Sequence, residues 1–273
     1  MRIARLFSAL IPAVLAATPV IAAAQKGAAL PGKWRISAGW LLNSANSSVR
    51  LDSPRLGQGT TIDFEDDLGF SNSANSISAN VSWQFAEKHR LDLGYNDIDR
   101  TSIKVIDREI HWGDQTYPLN GKIGGKFATQ FISLNYRYAL YRREGFEVGP
   151  SLAIPVVSIT VGAGVETPSG QVQKESKDVT VPAPIPGLYF SGRLHPKFYL
   201  QGNAQYVRIA IFSIDANMSD YRLQGVWLPT KHFGAGIAWS GNAFNVEGTD
   251  TSRLYGKIKY SVTGPSLFVT FTP

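Results

Sequence analysis

The sequence predicts an all-β fold, namely a closed antiparallel up-and-down transmembrane β-barrel of ten strands, with eight or twelve strands as the alternatives. Three observations predict it: an N-terminal export signal, ten later runs of alternating apolar and polar residues, and connections that are short and long in turn. A sheet that crosses lipid must close on itself, because an open edge would leave backbone N–H and C=O groups unpaired in hydrocarbon.

The start of the chain has the organisation of a secretory leader. Two arginines precede an apolar run that ends with three alanines before Gln25. The run is short and contains two prolines, which argues against a membrane anchor. We expect residues 1–24 to be a cleaved signal peptide and residues 25–273 to form one barrel domain.

The composition excludes several classes of function. The 273-residue chain has no cysteine, which excludes disulfide scaffolds, thiolate metal sites and cysteine nucleophiles. Its net charge of +6 falls to +4 without the two leader arginines, an excess too small to indicate nucleic-acid binding. No cofactor is expected.

Each alternating run places apolar side chains on one face and polar or small side chains on the other. In the first run Trp34, Ile36 and Trp40 alternate with polar or small residues, and later runs repeat the pattern. The polar face is too hydrophilic for the core of a soluble sandwich, so we assign the apolar face to lipid. The residues predicted to face lipid are Trp34, Ile36, Trp40, Ile77, Val81, Trp83, Ile132, Leu134, Leu267, Val269 and Phe271.

The ten predicted strands lie at about 34–50, 74–86, 89–108, 122–141, 146–162, 179–194, 198–214, 219–229, 233–246 and 253–271. The very short connections are 87–88, 142–145, 195–197 and 230–231, and the longer ones are about 51–73, 109–121 and 163–178. Short turns at one end and longer loops at the other are typical of outer-membrane barrels whose termini lie in the periplasm.

Aromatic residues cluster near the short turns, as they do in the belts at membrane interfaces. They are Trp34, Trp83, Phe85, Tyr138, Tyr141, Phe146, Phe198, Tyr199 and Phe233. The last run alternates up to Phe271, which is typical of the final strand that the barrel assembly machinery recognises, although Thr272 and Pro273 follow it.

Four segments carry a family resemblance: DFEDDLGF at 63–70, RLDLGYNDIDR at 90–100, NYRYALY at 135–141, and Gly264-Pro265 before the last strand. Together they resemble a group of largely uncharacterised, porin-like outer-membrane β-barrel proteins of proteobacteria. The resemblance covers most of the mature chain. It implies the barrel fold and a place in the outer membrane of a Gram-negative bacterium, and it carries over no catalytic or ligand-binding residue.

Four charged residues on consecutive strands are predicted to point into the lumen near the periplasmic end. They are Asp92, Arg137, Glu147 and Arg193, whose charges alternate as in a ladder of neighbouring ion pairs. Such a ladder either plugs a narrow lumen or filters ions, and ten strands enclose too little space for general diffusion. Further inward candidates are Arg35, Arg222, Lys257 and Lys259.

The first long loop carries four carboxylates, which offer the oxygen ligands that Ca²⁺ or Mg²⁺ prefer. They are Asp63, Glu65, Asp66 and Asp67. Their spacing does not match an EF-hand loop. The favoured alternative to a cation site is a solvated loop in which Phe64, Leu68 and Phe70 pack on the barrel mouth.

We expect a non-enzymatic protein that reinforces the envelope or passes small or apolar molecules through a narrow, charge-lined lumen. The alternatives are a surface enzyme acting on lipid or peptide, and adhesion through the outer loops. Only His111 among the four histidines lies in an outer loop, and no serine motif accompanies it. The expected partners are outer-membrane lipids, lipopolysaccharide, periplasmic chaperones and the barrel assembly machinery, with no nucleic acid and a monomeric state.

Overall fold

The computed structural model describes residues 31–55, 57–105, 109–112, 115–117, 122–166, 172–182, 184–211, 213–250 and 254–273, so the predicted leader lies outside the described residues. The strands in these ranges are β1 (Trp34–Leu51), β2 (Ile62–Asp63), β3 (Ser73–Ala86), β4 (His89–Val105), β5 (Ile110–Trp112), β6 (Gln115–Tyr117), β7 (Lys122–Tyr138), β8 (Tyr141–Arg143), β9 (Phe146–Glu166), β10 (Val172–Pro182), β11 (Ile185–His195), β12 (Phe198–Ile211), β13 (Ile214–Trp227), β14 (Phe233–Asp250) and β15 (Leu254–Phe271). No helix of the length and apolarity that a membrane crossing requires occurs in them.

The long strands form a closed antiparallel barrel. Each strand pairs with the next along the wall in the order β1, β3, β4, β7, β9, β10–β11, β12, β13, β14 and β15. β10 and β11 share one wall position because both pair with β9 in a single register. Pairing of β15 with β1, from Ile36↔Phe271 to Leu51↔Gly256, closes the sheet. The prediction of a closed ten-strand barrel is confirmed.

The two ends of the barrel differ. The start of β1 and the C-terminus lie beside the turns at 87–88, 144–145, 196–197 and 228–232, which define the turn end. Gly145 in one of these turns has φ of 75°, a left-handed conformation that glycine adopts without steric cost. The opposite end, which carries the segments 52–72 and 106–121, is the loop end.

The predicted long loop at 163–178 is wrong. β9 continues to Glu166 and β10 begins at Val172, so the two strands form an extended hairpin with only 167–171 between them. A hairpin that extends beyond the neighbouring strands needs no apolar face, so the polar composition of this segment resembles that of a loop. The predicted loop at 109–121 contains a small hairpin of its own, β5–β6.

A band of apolar side chains surrounds the outer surface at the turn-end side of the barrel. All eleven residues that the alternation assigned to lipid lie on this outer face; Ile77, for example, is 66% exposed, and Val81 is half-buried between neighbours. Beyond the band, towards the loop end, outward positions become polar, as at Ser44, Asn75 and Asp97.

Aromatic residues lie along the turn-end rim of the band. The rings of Trp34 and Trp83 stack with centroids 5.1 Å apart, and those of Phe233 and Phe271 lie at the same distance. Tyr199 is an exception to the predicted belt, because its side chain is 7% exposed and lies inside the barrel.

We expect Val81→Arg to lower the free energy of unfolding by about 2–4 kcal/mol, the cost of an arginine near the bilayer midplane. Val81 pairs with the outward residues Ile36 and Leu93, whereas the adjacent Asn80 faces the lumen. The matched control Asn80→Arg should cost less in urea unfolding of the protein in lipid vesicles. A larger loss for Asn80→Arg would show that the inner and outer faces are assigned the wrong way round.

Candidate functional site

The lumen has three levels. At the turn end, charged side chains lie near one another and form a floor. A chamber with many polar side chains in its wall lies in the middle of the lumen. At the loop end, apolar side chains form a plug. The floor consists of Arg35, Arg90, Asp92, Arg137, Arg142 and Glu147.

The central contact of the floor joins two strands. The Nη2 atom of Arg137 on β7 lies 2.6 Å from Oδ2 of Asp92 on β4, and both side chains are nearly buried. The guanidinium of Arg137 also lies 5.3 Å from the ring centroid of Tyr189. The geometry is that of a charge-assisted hydrogen bond, which is roughly twice as strong as a neutral one.

A second ion pair completes the floor. Glu147 on β9 lies 3.7 Å from Nε of Arg142, and Arg90 donates to Ser82 and Gln84 at 3.1 and 2.8 Å. Arg35 lies within electrostatic reach of Asp92 and Glu147 but makes no ion pair with either in the described residues. Four arginines thus face two carboxylates, and the floor carries excess positive charge.

Arg193 does not join this network. It lies at the turn-end rim, where its side chain is 38% exposed and pairs with Glu144 at 3.0 Å. β11 pairs with β12 irregularly between Arg193 and His195, just before the strand ends, so Arg193 lies beyond the floor. The ladder of four predicted charges therefore ends at Glu147. Lys257 and Lys259 were also wrongly assigned to the lumen, since the inward positions of β15 are the even-numbered ones.

The sequence analysis missed two floor residues for different reasons. Arg90 lies two residues before Asp92 and so shares its face, a signal that the alternation already contained. Arg142 belongs to β8, a three-residue strand in what the sequence presented as a simple turn, and no periodic signal marks it.

The plug is built around a segment of the first long loop that folds into the barrel mouth. Phe64, Leu68 and Phe70 are buried there against inward residues of the wall. The ring of Phe64 lies 5.2 Å from that of Phe127, and the ring of Phe127 lies 5.5 Å from that of Tyr260. The wall residues of the plug include Ala45, Val49, Ile98, Phe131, Val157, Ile185, Met218, Phe244, Ile258 and Val262.

One buried ion pair attaches the loop to the wall. Oε1 of Glu65 lies 2.6 Å from Nη1 of Arg100, and both side chains are buried. Ser47 donates to Glu65 from its backbone N–H and its hydroxyl, each at 2.8 Å. The guanidinium of Arg100 also lies 5.1 Å from the ring centroid of Phe127. The charge of Glu65 is therefore neutralised inside the plug.

The four loop carboxylates do not converge. Asp67 accepts a hydrogen bond from the backbone N–H of Asp63 within the loop, and Asp66 is exposed. In the ranges that the structure covers, no group of three or more His, Asp or Glu side chains could hold a metal ion. The cluster that suggested a cation site serves instead to dock and shape the loop, and Phe64, Leu68 and Phe70 pack at the mouth.

Between floor and plug lies a chamber of about 280 Å³, lined by many polar side chains and also by apolar ones such as Phe131, Ile185 and Met218. Asp220 and Arg222 of β13 put one acidic and one basic side chain on its wall. The polar lining also includes Asn43, Ser78, Asn80, Asn96, Ser133, Asn135, Gln201, Asn203, Gln205, Gln224, Ser240 and Asn242.

Hydrogen bonds connect much of this wall. Arg222 donates to Gln224 at 2.8 Å, Gln224 donates to Gln201 at 2.6 Å, and Gln201 donates to Ser191 at 3.1 Å. The side-chain oxygens of Asn43 and Asn242 are buried without a hydrogen-bond partner in the described part of the chain. The chamber therefore offers hydrogen-bond donors and acceptors to a small polar molecule.

The histidines at the turn end have structural contacts. Nδ1 of His89 lies 2.6 Å from the hydroxyl of Tyr136, and Nδ1 of His232 lies 2.9 Å from the carbonyl of Thr272. His195 packs beside Phe198. At the loop end, Nε2 of His111 lies 3.3 Å from Oε1 of Glu109, and both side chains are largely exposed.

The fold is similar to that of solved outer-membrane β-barrel proteins. The outer membrane protease OmpT of Escherichia coli matches with a TM-score of 0.60 at 10% identity, over 94% of this chain and 100% of OmpT. The outer membrane protein OprG of Pseudomonas aeruginosa covers 91% of this chain at 13% identity and a TM-score of 0.36, with 99% of its own length covered. No family model and no curated protein matches the chain. At 10% identity the likeness to OmpT shows the fold alone.

A double-mutant cycle measures the contact between Asp92 and Arg137. We expect Asp92→Asn and Arg137→Gln each to destabilise the barrel, because each leaves a buried charge without its partner. The double variant should recover part of the loss, with a coupling of about 0.5–3 kcal/mol in urea unfolding. Additive single effects would mean that the two side chains do not meet.

Proposed function

We propose that the chain is a non-enzymatic protein of the outer membrane through which small polar molecules pass, and that its lumen is closed at rest. In this proposal the turn end faces the periplasm and the loop end faces the exterior, after removal of residues 1–24. The expected lipid, lipopolysaccharide, chaperone and assembly-machinery partners and the monomeric state belong to the same proposal.

The observation that carries the proposal is the polar chamber between floor and plug. A barrel that only reinforced the membrane would gain stability from a filled interior, because voids forfeit packing contacts. This barrel instead keeps about 280 Å³ lined by amides and hydroxyls. The amides and hydroxyls of this lining can solvate a polar solute, and Phe131, Ile185 and Met218 add apolar surface at its loop-end side.

The plug has the features of a gate. Its loop part, with Phe64, Leu68 and Phe70, also pairs with the wall through the two residues of β2, but the ten-strand wall closes without it. Its attachment depends on the Glu65–Arg100 pair, whose two charges regain water when they separate. A modest change in the stability of the Glu65–Arg100 contact therefore shifts the equilibrium between the closed and open states of the lumen.

Catalysis is disfavoured by the distribution of side chains. The three turn-end histidines contact a tyrosine, a backbone carbonyl and a phenylalanine ring. A Ser-His-acid hydrolase needs a histidine held against a serine hydroxyl. OmpT is a protease, but its likeness to this chain is one of fold.

Single-channel recording in planar bilayers tests the gate. We expect wild-type protein to conduct little, and Glu65→Gln to raise the mean current at least about tenfold, which corresponds to about 1.4 kcal/mol of lost plug stability. Asp66→Asn is the matched control, since it removes a charge from the exposed side of the same loop. Equal currents for the two variants, with both barrels folded by heat-modifiable migration, would contradict the gate.

The same recordings test the floor. Because four arginines face two carboxylates, we expect anions to carry most of the current through the Glu65→Gln barrel. Arg35→Gln should reduce this preference, and reversal potentials in a salt gradient measure it. Cation preference in the Glu65→Gln barrel would show that ions do not cross the floor.

A further inference from the structure

One seam of the barrel wall is only partly paired. On one side, β10 and β11 follow β9 in a single register, from Val172↔Glu166 to Gly192↔Phe146. On the other side, pairing with β12 ends at Gly187↔Gln205 in the described residues. β12 itself continues to Ile211, supported by its other neighbour β13.

Three prolines lie on the unpaired side. Continuing the register past Gly187 would place Pro186 opposite Tyr206, Pro184 opposite Arg208, and Pro182 opposite Ala210. Each proline lacks the N–H that a ladder pair needs. Prolines inside sheets are confined to positions where no donor is required.

The directions of the backbone N–H groups show which neighbouring strand, β9 or β12, lacks a hydrogen-bond donor at each proline. The N–H of Arg193 donates to the carbonyl of Gly145 on the β9 side. N–H directions alternate along a strand, so odd-numbered residues of β10–β11 face β9 and even-numbered residues face β12. The three even-numbered prolines therefore remove the donors that would have closed the seam.

The opposite edge is oriented in the same way. The N–H of Leu228 donates to the carbonyl of Lys197, so odd-numbered residues of β12 pair with β13. The N–H groups of Tyr206, Arg208 and Ala210 consequently face the seam. Both edges thus meet in register, and the missing donors lie on the proline side.

The seam connects two apolar regions. On its inner side Ile185 is 4% exposed and belongs to the plug, against which Val207 also packs. On its outer side Leu188 and Tyr206 are 65% and 60% exposed, at the edge of the apolar band. Beyond them Arg208 is exposed and pairs with Asp215 at 2.9 Å, which marks the start of the polar zone.

We propose that this seam, between Pro184–Pro186 and Tyr206–Arg208, is a lateral portal through which the alkyl chain of a single-chain amphiphile in the membrane reaches the apolar plug. An alkyl chain fits because apolar side chains line both sides of the seam, whereas its charged head can remain near Arg208. An inserted peptide strand would find donors on β12 alone, because the prolines offer none. Ile185 also lines the chamber, but the portal crosses the wall of the barrel and does not depend on the gate proposed above.

Residue-resolved hydrogen exchange in lipid nanodiscs tests whether the seam is unpaired. We expect the amides of Tyr206 and Arg208 to exchange about a hundredfold faster than those of Val207 and Ile209, which face β13 in the same segment. The triple variant Pro182→Val, Pro184→Val, Pro186→Val should protect Tyr206 and Arg208. Equal protection of all four amides in the wild type would overturn the proposal.

A lipid probe tests passage of the chain. Stearic acid with a nitroxide near its methyl end is added to nanodiscs, and paramagnetic broadening of inward methyl groups is measured. We expect Ile185 and Val207 to be broadened and Val226, an inward residue near the turn end of β13 and outside the plug, to be spared. The broadening should disappear in the triple proline variant and persist in Pro150→Val, an outward proline on β9. Uniform broadening, or none, would show that the alkyl chain does not enter through this seam.

Discussion

Closure of the sheet between β1 and β15 is the constraint on which the rest of the structure depends. A closed sheet has one face towards lipid and one towards the lumen. Because side chains alternate along a strand, the odd-numbered residues of a strand lie on one face and the even-numbered residues on the other. Trp34 and Ile36 therefore face out, and Arg35 between them faces in. The outer face is uniform, whereas the inner face differs from one level of the lumen to the next.

The charged floor and the apolar plug both provide partners for polar groups buried in a narrow lumen, but by different contacts. Polar groups inside a narrow barrel must find partners, and at the turn end they find each other across strands, as Asp92 does with Arg137. At the loop end a single ion pair, Glu65–Arg100, is enclosed by aromatic rings. Cation–π contacts compensate part of the cost of burying Arg100, and the loop gains a fixed position.

The sequence predicted the wall well and the lumen poorly, for a physical reason. Alternation is a local property, so the strands and the outward set from Trp34 to Phe271 follow from short windows of sequence. Lumen contacts join residues far apart in the chain: Glu65 meets Arg100, and Gln224 meets Gln201. The acidic loop suggested a cation site because its sequence does not show that an arginine on β4 will neutralise Glu65. The polar composition of residues 163–178 suggested a loop, although β9 extends to Glu166 and β10 begins at Val172.

The central claim is that a polar chamber lies between a floor and a plug that both restrict access at rest. The chain has no cysteine, so single cysteines can be introduced without interference. Asn96→Cys and Ser240→Cys report on the chamber, and Asp66→Cys reports on the exposed loop. With a charged, membrane-impermeant thiol reagent applied to intact vesicles, we predict slow modification of both chamber positions and rapid modification at the loop. Modification of the chamber positions as fast as the loop position would contradict a closed lumen.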